Sequence, residues 1–170
     1  MDFDTARPTY TTDPARCHIS HVVADTGSWE QKLAQTLEDM EEVVCYVKNQ
    51  GLGFTIPYTL SGEEHQYMPD FIARVKTRSD DFSRQVTTDA PAVTTVVATD
   101  SLLNLIIEVS GEARKDKAAK VAAARDLWIP AINNHGGFGR WAFVEITDPW
   151  DAKNTIRAML GTTGGYYDKQ

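Results

Sequence analysis

The run Leu102-Leu103-Asn104-Leu105-Ile106-Ile107-Glu108-Val109 constrains this chain more than any other stretch. Its nearly continuous Leu and Ile are the pattern of a strand buried on both faces. Such a strand sits inside a sheet, and the rest of the chain must supply the layers that cover it. One residue breaks the pattern. Glu108 puts a carboxylate on this apolar strand, where it is costly unless paired or bound to a metal. Gln66 to Val75 does the same thing. Read as a strand, it turns Phe71, Ala73 and Val75 one way and Asp70 and Ile72 the other. Two acids on two apolar strands suggest a divalent-cation site of the kind that cleaves phosphodiesters.

The remaining chain supplies covering elements. Ser28-Trp29-Glu30-Gln31 fits a capping box opening a helix, with Trp29, Leu33, Leu37, Met40 and Val44 at helical spacing. Glu30 and Glu38 lie beside that stripe, so this helix can aim a carboxylate inward. Val43 to Lys48 and Leu52 to Tyr58 read as two strands of a hairpin turned at Asn49-Gln50-Gly51, and Ser61-Gly62 makes the next turn. Arg114 to Ile129 reads as a helix with Val121, Ala124 and Trp128 inside, ended by Pro130. Gly136 to Gly139 is a turn into a strand from Trp141 to Thr147. Asp148-Pro149 opens a last helix, with Pro at its first position, running to about Leu160. Trp128 and Trp141 are expected to fill the core.

The expected organisation is an extended lead-in at 1–27, holding at most a short strand from His18 to Ala24. One domain follows at 28–160, with a long polar hairpin excursion at 77–101, and then a frayed tail at 161–170. The fold class is α/β: a mixed central sheet flanked by helices, in the order helix-β-β-β-β-helix-β-helix. At 170 residues the chain is long enough to bury a real core.

Charge limits the partners. The net charge is −7, against the basic balance of a free-standing nucleic-acid binder. The distribution is uneven: residues 1–70 carry 4 Lys and Arg against 12 Asp and Glu, and residues 71–170 carry 13 against 12. Arg114, Lys115, Lys117, Lys120 and Arg125 concentrate positive charge where it can meet a phosphate backbone. Asp116 and Lys120 also have the spacing of an ordinary i,i+4 ion pair. No run has the length of a membrane span, and two cysteines are too few for a disulfide framework, so a cytoplasmic setting is expected. Cys17, His18 and His21, with Cys45 or His65, are a weak zinc pattern without a Cys-x-x-Cys pair.

Pro69-Asp70 followed by Glu108-x-Ser110, in this order of elements, resembles the PD-(D/E)xK nuclease superfamily. The wider text resembles one branch of it, the C-terminal endonuclease domain of type III restriction enzyme Res subunits. The stretches concerned are Trp29-Glu30-Gln31, Tyr46-Val47-Lys48-Asn49, Ile56-Pro57-Tyr58, Tyr67-Met68-Pro69-Asp70-Phe71, Ile107-Glu108-Val109-Ser110-Gly111 and Trp128-Ile129-Pro130-Ala131-Ile132-Asn133-Asn134. The resemblance covers roughly residues 7–150.

It implies a restriction-endonuclease-like core and a Mg²⁺-dependent endonuclease, with Mn²⁺ as a substitute. Asp70 and Glu108 would be the metal-binding acids, and the Val109 carbonyl a third ligand. Glu30 would be an assisting carboxylate, with Glu38 as the fallback. The family's catalytic lysine falls at Ser110, so a lysine from Lys115, Lys117 or Lys120 would have to replace it. Arg114, Lys117 and Lys120 would contact DNA. The implied partners are double-stranded DNA, a helicase or translocase domain or subunit, and a methyltransferase subunit; a homodimer stays open. No ATP-binding Gly-x-x-x-x-Gly-Lys loop is present. Two rivals remain: a catalytically degenerate nuclease-fold module that binds DNA or a partner subunit, and a docking domain without nucleic-acid contact.

Overall fold

A computed structural model describes residues 5–23, 29–77, 101–110 and 116–163. Its centre is a four-stranded mixed sheet in the order β3-β6-β7-β8. These strands are β3 (Val43–Lys48), β6 (Phe71–Thr77), β7 (Ser101–Val109) and β8 (Arg140–Ile146). β6 runs antiparallel to both β3 and β7, while β7 and β8 are parallel. A parallel pair needs a crossover, and the helical stretch after β7 provides it. The expected α/β class with a mixed central sheet is therefore the observed one.

β7 is buried on both faces, as its composition requires. Leu103, Leu105 and Ile107 pair with Val75, Ala73 and Phe71 and turn to one side. There they meet Leu33, Ala34 and Leu37 of α1 (Trp29–Asp39), and Ala152 and Ile156 of α4 (Ala152–Thr163). Ile106 turns to the other side, against Ile56, Tyr58 and Tyr67 of a separate hairpin and Ala123 and Ala124 of the crossover helix. The hairpin is β4 (Ile56–Leu60) with β5 (Glu63–Tyr67). Ser61 and Gly62 at its tip both have positive φ, the hand that matches strand twist.

Several expected elements are corrected. The stretch from Gln66 to Val75 is two strands, not one. Pro69 cannot donate to a ladder, and the chain bends at Asp70 between β5 and β6. β3 and β4 do not pair with each other; β3 pairs with β6, and β4 with β5. The lead-in holds an antiparallel pair, β1 (Thr9–Thr11) with β2 (His21–Val23), and its Cys17 and Val22 belong to the main core.

Pro130 does not end the crossover helix. α2 (Lys117–Ala122) passes through a π-helical turn, Ala123–Trp128, into α3 (Ile129–His135). Pro130 occupies the first turn of α3, and the wide turn before it loosens the geometry its ring would otherwise clash with. Gly136, at φ 72°, closes α3 in the left-handed conformation. Buried positions of this helix are Ala123 and Ala124, and Val121 is only half-buried. α4 starts at Ala152, after a turn in which Asp148 accepts the Trp150 amide at 2.9 Å, so Pro149 lies before the helix. Ser28 of the expected capping box, the excursion at 78–100 and the tail beyond Thr163 lie outside the described residues.

Candidate metal centre

The carboxyl ends of β3 and β7 and the amino end of β6 meet at one end of the sheet. The pairing Phe71↔Ile107, continued by one step, sets Asp70 opposite Glu108. Directly opposed residues share a face, so the two acids are neighbours by register. Asp70 lies at a bend, not in the ladder, which frees its side chain to reach along the strand end. Its Oδ2 accepts the Val109 amide at 2.7 Å.

Asn49 fixes this bend. Its amide nitrogen donates to the Asp70 carbonyl at 2.8 Å, and its side chain donates to the Pro69 carbonyl at 3.0 Å and the Phe54 carbonyl at 2.7 Å. The buried Asn49 thus ties the β3–β4 loop to the residue that carries the acid.

Both acids are held away from their ordinary behaviour. Burial raises the Asp70 pKa, and the nearby charge of Glu30 adds to this, while the Val109 amide and Lys48 oppose it. Burial also drives Glu108 up, to about 8, with the Asp70 charge adding; the Tyr67 hydroxyl and Lys120 work the other way. Tyr67 donates to Glu108 Oε2 at 2.6 Å, and its phenol is pushed up by burial and by the Glu108 charge. Two half-buried carboxylates this close repel each other unless a proton or a cation sits between them.

Mg²⁺ fits this donor set. It takes hard oxygen ligands, often one or two carboxylates, and keeps several waters. In an extended strand the N–H and C=O of one residue point to the same edge, so Val109 turns its carbonyl toward the side where Asp70 lies. Among the described residues no group of three or more His, Cys, Asp or Glu converges. A cation here would therefore rest on Asp70 and Glu108, with the Val109 carbonyl and water completing the shell. Nor do Cys17, His18 and His21 form such a group among the described residues; His21 contacts the Ser20 hydroxyl at 3.0 Å.

Glu30 enters the site region from the first turn of α1, 6% exposed. It faces Lys48 Nζ at 3.2 Å, and Lys48 also donates to the Val23 carbonyl at 2.5 Å. Glu38 is committed elsewhere: it accepts the Tyr10 hydroxyl at 2.6 Å, the Tyr46 hydroxyl at 2.8 Å and the Asp13 amide at 2.7 Å. It joins the β1–β2 hairpin to α1 and β3, and the fallback role is set aside.

The basic helix is largely self-satisfied. Lys120 pairs with Asp116 at 2.6 Å, as the i,i+4 spacing suggests, and lies 5.8 Å from the centre of the Tyr58 ring. Its charge still reaches Glu108. Lys117 stands 2.7 Å from Glu145, the register partner of Glu108 on β8. Burial would raise Glu145, but the Lys117 contact prevails and its pKa falls. Arg114 and Lys115 lie outside the described residues. Trp141 stacks on Phe54, and Trp128 of the crossover helix meets both rings edge-on; both tryptophans are half-buried rather than in the core.

Sequence reasoning missed Lys48, Tyr67 and Asn49 as site residues. A signal existed for the first: a lysine directly closing the apolar run Val43 to Val47 carries charge on the end of an otherwise apolar strand, as Glu108 does near the end of its own. No protein-family model matches the chain, and neither a curated protein nor a solved structure matches it significantly.

Proposed function

We propose that this chain is a Mg²⁺-dependent phosphodiesterase of the PD-(D/E)xK class, with a restriction-endonuclease-like core. More particularly, we read it as the DNA endonuclease module of a type III restriction-type enzyme. The observation that carries the proposal is the half-buried pair Asp70 and Glu108, set side by side at the bend before β6 and near the end of β7, with raised proton affinity. Mn²⁺ would substitute for Mg²⁺, since both accept oxygen donors.

Asp70 and Glu108 would hold the cation, with Glu108 oriented by the Tyr67 hydroxyl and Asp70 by the Val109 amide. When bound, Mg²⁺ supplies Lewis-acid stabilisation of the charge on the phosphate. In the overall reaction a water oxygen bonds to phosphorus and the bond to the 3′ oxygen breaks. The 3′ oxygen takes up a proton, and a 5′-phosphate is left. Lys120 and Lys117, whose ion-pair partners are Asp116 and Glu145, would border the bound duplex on this reading. The partners on this reading are double-stranded DNA, a translocase and a methyltransferase subunit. No helix among the described residues is long and apolar enough to cross a membrane.

The test is cutting of plasmid DNA by Asp70→Asn and Glu108→Gln, which keep shape and remove charge. Each is expected to lower the rate at least ~10³-fold, the scale of losing a principal electrostatic group. Unchanged cutting by both would sink the reading. One observation favours a retired nuclease instead: the buried Ser110 hydroxyl makes no hydrogen bond to a described residue, although the Glu145 carboxylate beside it is close enough to be affected by it. A chain that binds DNA in a salt-sensitive way without cutting would support that second reading.

A further inference from the structure

We propose that Glu145, with Glu108 and the Ser110 hydroxyl, forms a second divalent-cation subsite on the β8 side of the acid pair, and that the Lys117 ammonium fills it in the metal-free protein. This rests on the metal-centre reading above and extends that centre to a third strand.

The subsite follows from register. Glu108 pairs with Glu145 across the parallel ladder of β7 and β8, and Asp70 stands opposite Glu108 at the entry to β6. Paired residues share a face, and neighbouring strands lie about 4.8 Å apart, so the three carboxylates form a row across one end of the sheet. Glu108 is the middle member. No three acids among the described residues surround one point. The row therefore offers two gaps, and Asp70 with Glu108 accounts for only the first.

Two observations mark the second gap. Ser110 is 6% exposed, and its Oγ is buried without a hydrogen bond to a described residue. Its amide donates to the Ile146 carbonyl at 2.9 Å, which carries the ladder one step past Val109. The Ser110 side chain thus stays on the face of Glu108, two residues back, where the Glu145 carboxylate is close enough to be affected by its hydroxyl. The other observation is a positive charge already in place. Lys117 Nζ stands 2.7 Å from Glu145 Oε1, itself a buried atom.

An ammonium neutralises Glu145 but leaves the Ser110 hydroxyl unbonded. A hard divalent cation takes carboxylate and hydroxyl oxygens together, and so gives Glu108, Glu145 and Ser110 a common partner. The side chains of Lys117 and Glu145 are 28% and 26% exposed, so water and a metal can displace the lysine at low cost. Lys117, once released, is free to meet a phosphate of the DNA.

Calorimetric titration of Mn²⁺ into the full chain tests the subsite without DNA. The wild type is expected to show one binding event and Lys117→Met two, because removing the ammonium opens the second position. Lys117→Met with Glu145→Gln is expected to return to one. In the Lys117→Met background, Ser110→Ala is expected to weaken the second event at least ~10-fold, the scale of losing even an outer-shell partner of a metal. Ser110→Ala alone is expected to leave the melting temperature unchanged, since the hydroxyl bonds to no described residue. Lys117→Gln takes the place of Lys117→Met if the latter fails to fold. One event in both the wild type and the folded Lys117 variant overturns the subsite alone, as does a second event that survives Glu145→Gln. A second event indifferent to Ser110→Ala overturns the part given to the hydroxyl. No event in the wild type or in any variant overturns the metal-centre reading and this inference together.

Discussion

The two faces of the central sheet are built for different purposes. The face under α1 and α4 is aliphatic and closed: Leu33, Leu37, Leu103, Leu105, Ile107 and Ile156 are essentially inaccessible. The opposite face is aromatic and half-open. Trp128, Trp141 and Phe143 are only partly buried, and a π-helical turn interrupts the helix above them. Register places Asn104, Glu108 and Glu145 on that second face, alternating with the apolar side chains of the first. One face holds the sheet together, and the other carries groups that destabilise it. Helical irregularities such as π-turns are frequent at functional sites, which fits this division.

The largest expected contrast is between substitutions that empty each face. Leu105→Ala on the closed face is expected to cost about 2–5 kcal/mol in chemical denaturation, the range for a truncated core leucine. Glu108→Gln on the open face should do the reverse and stabilise at pH 8. The sign follows from its raised pKa. A carboxyl that binds its proton more tightly when folded contributes stability below its ordinary range. That contribution is lost as pH rises toward about 8, where the folded protein must hold a buried charge. Removing the charge removes this loss. The variant and wild type should therefore melt closer together at pH 5 than at pH 8, and equal differences at the two pH values would contradict the burial of Glu108.

A smaller effect sharpens the same contrast. Mg²⁺ should raise the wild-type melting temperature more at pH 8 than at pH 6, because binding must displace protons from the acid pair. The smallest effect concerns the rim. Lys120→Ala breaks a partly exposed ion pair with Asp116, so thermal melting should hardly change. DNA affinity should become less dependent on salt, with a slope reduced by about 1 if the lysine contacts a phosphate.

Local pattern revealed much of this architecture. The continuous run of β7 announced a strand covered on both faces, and the alternation after Asp70 gave the correct facing of Phe71, Ala73 and Val75. Leu33 and Leu37 of the α1 stripe and the turn at Ser61-Gly62 were equally readable, whereas Val44, read on the same stripe, lies on β3 and is exposed. Pairing was not. β3 and β4 are neighbours in sequence joined by a turn-like segment, yet each finds a partner further along the chain. Proline misled in two places, since it splits a strand at Pro69 but passes through the helix at Pro130. For the site, Asp70 and Glu108 were legible because each carboxylate contradicts an apolar strand. Lys48 was not singled out because a lysine at a strand end is ordinarily solvated; only the arrival of Glu30 from a distant helix makes it a buried partner. Glu38 stood only as the fallback for Glu30 on the helix, and three hydrogen bonds from Tyr10, Tyr46 and Asp13 engage it elsewhere.

Calorimetric titration of Mn²⁺ into the wild type and Asp70→Asn at pH 8 tests the central claim most directly. One saturable binding event in the wild type that disappears in a folded Asp70→Asn variant is the expected result. Equal binding by both proteins, or none by the wild type in the presence of DNA as well as in its absence, would contradict a metal centre on Asp70 and Glu108.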